Sequence, residues 1–341
     1  MKQVVSLFVL IAVVGALFGF AQTPAEIPTF RAEAKLVLVD VIAESAKKTA
    51  LRTRALLTDL QKEDFRVFDN GHEMPIHSFD IGAQHDTRPI VLWLIVQCNL
   101  GLPPEWASGF LRGKTQFLRA ALSDLDMNDA VGVAHWCDDG AASIDLPPGH
   151  DPDAALAAVD HVINLDPVHG ENRKGELAMQ RMIRITVDNV HQAKLDRLPI
   201  LLFLYGDHCA TYIAEANRII EDVLETSGIV FGLNDNGYPF DPEGMSRDGQ
   251  LFDLVHYYSH DTGGAFYSSM DPKLFSAALD YIVAQLHLRY TIGFKPLVKD
   301  GKRHTLKVEL TKDARKRFPV TELRFRQEYV PVATYPDPSF K

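Results

Sequence analysis

The stretch PIVLWLIVQCNLG, residues 89–101, decides how this chain folds. Seven apolar residues run without interruption from Ile90 to Val96, between a proline and a polar turn that ends in glycine. An unbroken apolar run of this length is typical of a strand buried on both faces, as in the middle of a parallel sheet. Ligands of open parallel sheets bind just beyond the carboxyl ends of such strands. The turn at 97–101 is therefore the first place to look for a site.

Strand and helix patterns alternate from this stretch up to residue 287. Further strands are predicted at 130–137, 143–146, 199–206, 228–234 and 265–269. Helices are predicted at 106–124, 152–164, 174–193, 212–227, 247–261 and 271–287. This alternation predicts an α/β domain over 87–287, with a doubly wound, mostly parallel, Rossmann-like sheet that carries helices on both faces.

The segments on either side of this domain contain strand patterns and turns. The N-terminal segment, 22–86, includes two alternating arms joined by Asn70-Gly71, a pair that favours a two-residue hairpin turn. The C-terminal segment, 288–332, predicts strands at 288–297, 304–310 and 322–332, and 333–341 is expected to be a loose tail. The simplest architecture joins both segments in one small antiparallel β sandwich, into which the α/β domain is inserted.

The first 21 residues have the composition of a targeting segment. Lys2 precedes an apolar run from Val4 to Phe20, and Gly19 and Ala21 place small residues before Gln22. We expect a cleaved signal peptide, a secreted or periplasmic location and no integral membrane segment after cleavage. An uncleaved anchor helix is the alternative, although the apolar run is slightly short for one.

Composition and charge narrow the class of partner. The 341 residues are 46% hydrophobic and 23% charged, which is ordinary for a globular protein. The formal net charge is −10, and the longest basic run is only Arg315-Lys316-Arg317. Binding to nucleic acid requires a clustered basic face, so no nucleic-acid partner is expected.

The order of motifs resembles that of a known family. LVLVDVIAE (36–44) and LLTDLQKEDFRVFDNGHEMPIHSF (56–79) precede the buried strand, and LRYTIGFKP (288–296) with GKRHTLKVEL (301–310) follows the last helix. In combination these motifs resemble the von Willebrand factor A (VWFA)-related domain family typical of acidobacterial secreted proteins. The resemblance implies a VWA domain whose first strand lies between the second strand and the strand at 199–206.

Active VWA domains bind a divalent metal at the carboxyl edge of the sheet, the metal-ion-dependent adhesion site (MIDAS). The family's ligands are an Asp-x-Ser-x-Ser motif, a threonine from a middle loop and a later aspartate. Here the first motif reads Gln97-Cys98-Asn99-Leu100-Gly101, the loop at 169–177 has no threonine, and the aspartate position falls on Tyr205. Mg²⁺ normally requires at least one carboxylate. We therefore expect a degenerate MIDAS with no metal, and no cofactor.

The family's strand order also brings the three cysteines to one edge. Adjacent strands lie ~4.8 Å apart, within the Cα separation that a disulfide accepts, so Cys98 could pair with Cys137 or with Cys209. Strand spacing disfavours a bond between Cys137 and Cys209. Buried free thiols, or a zinc or copper site of thiolates with His135 or His208, are the alternatives.

These observations favour a binding protein that is not an enzyme, because no catalytic motif follows any strand. We expect it to bind a protein or cell-envelope ligand through the carboxyl edge. The candidate ligand-binding residues are Gln97, Asn99, Gly101, Asp138, Asp207 and His208. Two alternatives remain: an enzymatic or metal-handling protein that uses the Cys/His/Asp cluster at this edge, and metal-dependent adhesion with Asp138 and Asp207 as displaced ligands.

Overall fold

The structure is a computed structural model that describes most of the chain after residue 35. The described ranges are 36–48, 53–82, 89–98, 115–137, 140–165, 172–193, 197–206, 210–211, 213–234, 252–268 and 271–331. The predicted signal peptide and the predicted tail lie outside them.

The strands and helices are numbered in chain order over the described residues. The strands are β1 (Val37–Lys48), β2 (Arg54–Leu56), β3 (Phe65–Asp69), β4 (His72–Met74), β5 (Ile76–Ile81), β6 (Ile90–Gln97), β7 (Ala130–Trp136), β8 (Ala142–Gly149), β9 (Leu198–Tyr205), β10 (Ala210–Thr211), β11 (Ile229–Asn234), β12 (Phe252–Asp253), β13 (Phe266–Ser268), β14 (Tyr290–Phe294), β15 (His304–Leu310), β16 (Thr321–Arg324) and β17 (Glu328–Tyr329). The helices are α1 (Thr115–Ser123), α2 (Pro152–Ile163), α3 (Asn172–Ala193), α4 (Ile213–Glu225), α5 (Leu254–Thr262), α6 (Pro272–His287) and α7 (Lys312–Arg317).

Residues 90–97 form β6, and every side chain of this strand is buried. This strand pairs in parallel with β7 on one side and with β9 on the other. The six-stranded sheet has the order β13-β11-β9-β6-β7-β8, in which β8 is antiparallel to β7. Strand β6, the first strand of the α/β layer, is thus an interior strand that lies between β7 and β9.

Helices cover both faces of this sheet, which explains why β6 is apolar throughout. Leu92, Leu94 and Val96 pack on one face in a core shared with α1, α2 and α6. Trp93 and Ile95 point to the other face, in a core shared with α3, α4 and α5. Alternate side chains of one strand therefore enter two separate apolar layers. The predicted mixed α/β class with several sheets is confirmed.

Two antiparallel sheets contain the flanking segments. The first has the order β16-β1-β14-β5 with β2 paired to β1, and the second has the order β17-β15-β3-β4. Both contribute side chains to one further core, which includes Val39, Phe65, Tyr290 and Val308. The β1–β14 pairing joins the first described strand to the strand that follows α6. At the β3–β4 hairpin, Asn70 and Gly71 have φ values of 47° and 82°, as a type I′ turn requires.

Two sequence-based predictions of secondary structure are wrong in detail. The helix expected at 247–261 does not include residues 252–253, which form β12 and pair with β10, so that α5 begins only at Leu254. The single strand expected at 322–332 is two short strands, β16 and β17, which belong to different sheets. The break occurs because the backbone N–H of Gln327, between them, donates to the carbonyl of Asp261 at 2.8 Å.

Helix α7 is an element that the sequence patterns did not predict within the C-terminal strand segment. The side chain of Thr311 caps it by accepting from the backbone N–H of Ala314. Asp313 lies in its first turn and three basic residues lie in its last turn, an order that suits the helix dipole. With so few residues, capping rather than periodicity identifies this helix.

A buried carboxylate connects the antiparallel sheets to the α/β layer. Glu44 of β1 is 4% exposed. It accepts from Arg324 at 3.1 Å and from Arg54 at 3.2 Å. The Tyr281 hydroxyl of α6 donates to Glu44 at 2.8 Å, and Arg324 also bonds to Gln285 of the same helix. Burial and the charge of Glu44 raise the pKa of Tyr281 far above its usual range, so this phenol remains a donor.

A second buried ion pair involves Asp40, which lies before Glu44 on the same strand. Arg289, 1% exposed, donates through Nε to Asp40 of β1 at 2.9 Å and through its guanidinium to the carbonyl of Leu286. The Thr291 hydroxyl donates to the same Asp40 oxygen at 2.8 Å. These contacts fix the point where α6 ends and β14 begins.

Among the described residues, no helix is both long enough and apolar enough to cross a membrane.

We predict that Glu44→Gln lowers the free energy of unfolding by about 2–3 kcal/mol, because it leaves two partly buried arginines without their shared carboxylate. The matched control is Glu322→Gln, which removes a half-exposed partner of the same Arg54 and should cost under about 1 kcal/mol. Urea unfolding of both variants measures the difference. Equal destabilisation by the two substitutions would contradict a central role for Glu44.

Candidate functional site

The carboxyl edge of the parallel sheet is the candidate site, and Gln97 is the described member of the predicted binding face. The side chain of Gln97 ends β6 and is 2% exposed. Its Oε1 accepts from the backbone N–H of Gly206, just after β9, at 3.2 Å. An amide at this position therefore connects the ends of two neighbouring strands through a neutral hydrogen bond.

The other predicted face residues, Asn99, Gly101, Asp138, Asp207 and His208, lie outside the described residues, as does Cys209. Their placement stays a prediction.

Cys98 and Cys137 form a disulfide, one of the two pairings that strand spacing left open. Their Cα atoms are 5.0 Å apart, and both residues are buried. The N–H of Cys98 also donates to the carbonyl of Trp136 at 2.9 Å, which continues the β6–β7 ladder to the bond. The end of β6 is thus linked covalently to β7 and by the Gln97 amide to β9.

Hydrogen bonds connect Cys137 to the residues that begin the next described range. The N–H of Gly140 donates to the carbonyl of Cys137 at 3.0 Å, and the N–H of Cys137 donates to the carbonyl of Ala141 at 2.9 Å. Arg181 of α3 donates to the carbonyl of Gly140 at 3.3 Å. This arginine was not singled out from the sequence, since nothing in helical periodicity indicates which polar residue will contact a distant turn.

A histidine–carboxylate pair lies on β7 and on the neighbouring edge strand β8 of the same sheet. Nδ1 of His135 in β7 contacts both carboxylate oxygens of Asp145 in β8, at 2.9 and 2.8 Å. Each side chain is 12% exposed. Asp145 was missed in the sequence, although its place in a predicted strand beside that of His135 is the signal that could have found it. Among the described residues, the side-chain hydrogen bonds of His135 go to Asp145 alone.

Tyr205, which occupies the family's aspartate position, is a core residue. It is 1% exposed, and its ring lies 6.4 Å from that of Trp136 and 6.3 Å from that of Phe266. A phenol packed among aromatic rings does not replace a carboxylate ligand.

The pairing of the cysteines also bears on the soft-metal alternative. Sulfur in a disulfide has no thiolate charge, so neither Cys98 nor Cys137 can donate to zinc or copper(I) while the bond is intact. The described cysteines therefore provide no thiolate for the cluster that this alternative requires.

No family model matches this chain, and no curated protein matches it. Among solved structures, it is similar to the conserved hypothetical protein BatB from Bacteroides thetaiotaomicron, with 16% identity and a TM-score of 0.38 over 58% of this chain and 98% of that one. It is also similar to a von Willebrand factor type A protein from Catenulispora acidiphila, with 12% identity and a TM-score of 0.43 over 88% of this chain and 75% of that one. At TM-scores this low, these likenesses assign neither family nor function.

We predict that oxidised, denatured protein contains one titratable thiol, and that reductant raises the number to three. Replacing the pair with Cys98→Ser plus Cys137→Ser should lower the free energy of unfolding by about 2–4 kcal/mol, because the unfolded chain loses a cross-link. Cys209→Ser serves as the control and should leave one disulfide and no free thiol. Three free thiols in the oxidised protein would contradict the pairing.

We predict that Gln97→Met costs about 1–3 kcal/mol of stability, because it leaves the Gly206 N–H buried without its acceptor. Amide hydrogen exchange provides a local test. Protection of the Gly206 amide should fall in the variant more than that of Leu202, which lies within β9 and keeps its sheet partners. A uniform loss of protection along β9 would indicate general destabilisation instead.

Proposed function

We propose that this is a secreted or periplasmic protein that binds a protein or cell-envelope ligand through the carboxyl edge of its parallel sheet, without catalysis and without a metal bridge. We further propose that the α/β layer is a VWA-type domain of the acidobacterial VWFA-related kind with a degenerate MIDAS.

The observation that carries this proposal is the buried Gln97–Gly206 hydrogen bond. In the resemblance to VWA domains, Gln97 stands where the Asp-x-Ser-x-Ser motif has its aspartate. Here the side chain is neutral, and its oxygen is used within the protein. A neutral oxygen that already accepts a backbone N–H compensates poorly for the dehydration of a hard cation.

Rigidity at this edge supports a binding role. The Cys98–Cys137 disulfide and the Gln97 amide hold three adjacent strand ends, β7, β6 and β9, in a fixed arrangement. Loops that begin at fixed points lose less conformational entropy when they bind a ligand. The edge can therefore contribute to affinity without an ion to organise it.

Covalent connection supports the choice of face. Asn99 follows Cys98 directly, Asp138 follows Cys137, and Asp207 with His208 follows Gly206. The described residues that precede them, Cys98, Cys137 and Gly206, are joined by the disulfide and by the hydrogen bond to the Gln97 side chain. The carboxylates, amide and imidazole that follow these fixed positions suit a ligand with polar and basic groups.

The described residues offer little support for catalysis at this edge. The His135–Asp145 pair has the arrangement of a base and its orienting carboxylate, but no serine, threonine or cysteine nucleophile is hydrogen-bonded to the ring in the described part of the chain. A nucleophile within hydrogen-bond reach of the base is what a triad requires.

The proposal predicts that one ligand captured from envelope extract by the native mature protein is lost with Asp207→Ala plus His208→Ala. The control is His72→Ala plus Glu73→Ala, an exposed histidine–acid pair on the β3–β4 hairpin, which should capture as the native protein does. Affinity pull-down followed by mass spectrometry measures recovery at a temperature where all three proteins are folded.

Three results would overturn the proposal in different ways. Unchanged capture by the Asp207/His208 variant would place the binding face elsewhere. Loss of capture in chelator, restored by magnesium, manganese or calcium, would favour metal-dependent adhesion with displaced ligands instead. Hydrolysis or other turnover of the captured ligand would favour the enzymatic alternative.

A further inference from the structure

The opposite, amino edge of the same sheet contains a cluster of two aspartates and one histidine. Asp129 directly precedes β7, Asp126 lies in the turn before it, and His287 is the last residue of α6. Ile90, which begins β6, is adjacent because its backbone N–H donates to Asp129. The cluster thus lies a full strand length from the carboxyl edge and is independent of the proposed function.

The three side chains already stand at distances that suit one shared ion. Nε2 of His287 is 3.2 Å from Oδ2 of Asp129 and 4.0 Å from Oδ2 of Asp126. All three potential donor atoms lie within 4.8 Å of one another. Ligands at ~2.1 Å from a metal are separated by about 3–3.5 Å, so only small side-chain movements are needed to coordinate one.

Hydrogen bonds hold Asp129, the buried member of the cluster, from several sides. Oδ1 of Asp129 accepts from the N–H of Ile90 at 2.8 Å, while Oδ2 accepts from the N–H of Asp126 at 3.0 Å. Nδ1 of His150 contacts the backbone carbonyl of Asp129 at 2.5 Å. Such contacts fix the carboxylate before any ion arrives, as outer-shell partners do at metal sites.

Exposure leaves room for water to complete a coordination shell. The side chain of Asp129 is 4% exposed, but those of His287 and Asp126 are 23% and 71% exposed. One ligand is therefore buried and fixed, and the other two face an opening to solvent. Three protein ligands with an open position is a common arrangement for zinc.

The two carboxylates of the cluster carry negative charge without a lysine or arginine partner among the described residues. In this part of the chain, the ion pairs of Asp126 and Asp129 are both with His287. A divalent cation would be attracted to this pair of carboxylates.

We propose that Asp126, Asp129 and His287 bind one divalent transition metal ion, for which Zn²⁺ is the best fit, with water in the remaining positions. One imidazole nitrogen with two carboxylates favours zinc or a similar borderline ion over Mg²⁺ or Ca²⁺, which prefer oxygen ligands alone. Metal binding uses the lone pair of His287 Nε2, so any proton on that atom is released to solvent.

The position would let the ion cross-link separate segments of the chain. The chain leaves the antiparallel sheets after Gly82 and returns to them after His287, and the Gly82 N–H donates to the carbonyl of Arg289 at 2.9 Å. A Cβ on Gly82 would lie 2.0 Å from the carbonyl oxygen of His287, so the two connections between the sheets are closely packed here. An ion bound to His287 would connect this point to the first residues of β6 and β7.

The test uses the full mature chain in a Cys209→Ser background, stripped with chelator and then titrated calorimetrically with Zn²⁺. We expect one saturable site per chain, with affinity reduced about tenfold or more by Asp126→Asn or His287→Gln. Asp124→Asn, an exposed aspartate of the same turn, is the matched control and should bind within about twofold of the parent. Zinc should raise the melting temperature of the parent and of the control but not of Asp126→Asn.

Asp126 is largely exposed, so its variant should fold normally and report on the metal alone. Absence of a saturable site, or equal binding by Asp126→Asn and Asp124→Asn, would overturn the inference. Ligand capture by Asp126→Asn is measured in parallel. Asp126→Asn should lose zinc binding and retain ligand capture. The Asp207/His208 variant should retain zinc binding and lose capture. The two measurements therefore distinguish failure of one proposal from failure of the other.

Discussion

Strand β1 imposes the constraint on which the rest of the structure depends. Its alternate residues Val39, Val41 and Ala43 belong to the core of the antiparallel sheets. The residues between them, Asp40, Ile42 and Glu44, face the α/β layer, where Ile42 is part of the apolar core. One strand therefore serves two layers. Two of its three residues on the second face are carboxylates, which can be buried there only if arginines meet them.

Those arginines come from the far end of the chain. Arg289 and Arg324 follow Asp40 and Glu44 by 249 and 280 residues, with the whole α/β layer between them in sequence. The contacts are thus long-range in sequence. They also add directional bonds to α6 through Leu286, Tyr281 and Gln285. The buried charges therefore connect β1 to α6 by hydrogen bonds as well as by apolar packing.

The sequence predicted those features that follow from local pattern. The unbroken run at 90–96 required burial on both faces, and Asn70-Gly71 required positive φ values, because each depends on side chains within a few residues. It did not predict that Asp40 and Glu44 would be buried, since an alternating strand normally turns its polar face to water. The split of 322–332 into two strands escaped for the same reason, because a bond from Gln327 to the distant Asp261 causes it.

The disulfide has a consequence for the order in which the cysteines pair. Cys98 and Cys137 are 39 residues apart, whereas the loop from Cys98 to Cys209 is nearly three times longer. Closing the longer loop costs about 1 kcal/mol more chain entropy, so random collisions already favour the native pair several-fold. Oxidation of the unfolded chain therefore favours the Cys98–Cys137 pair over the Cys98–Cys209 pair before any folded structure brings the strands together.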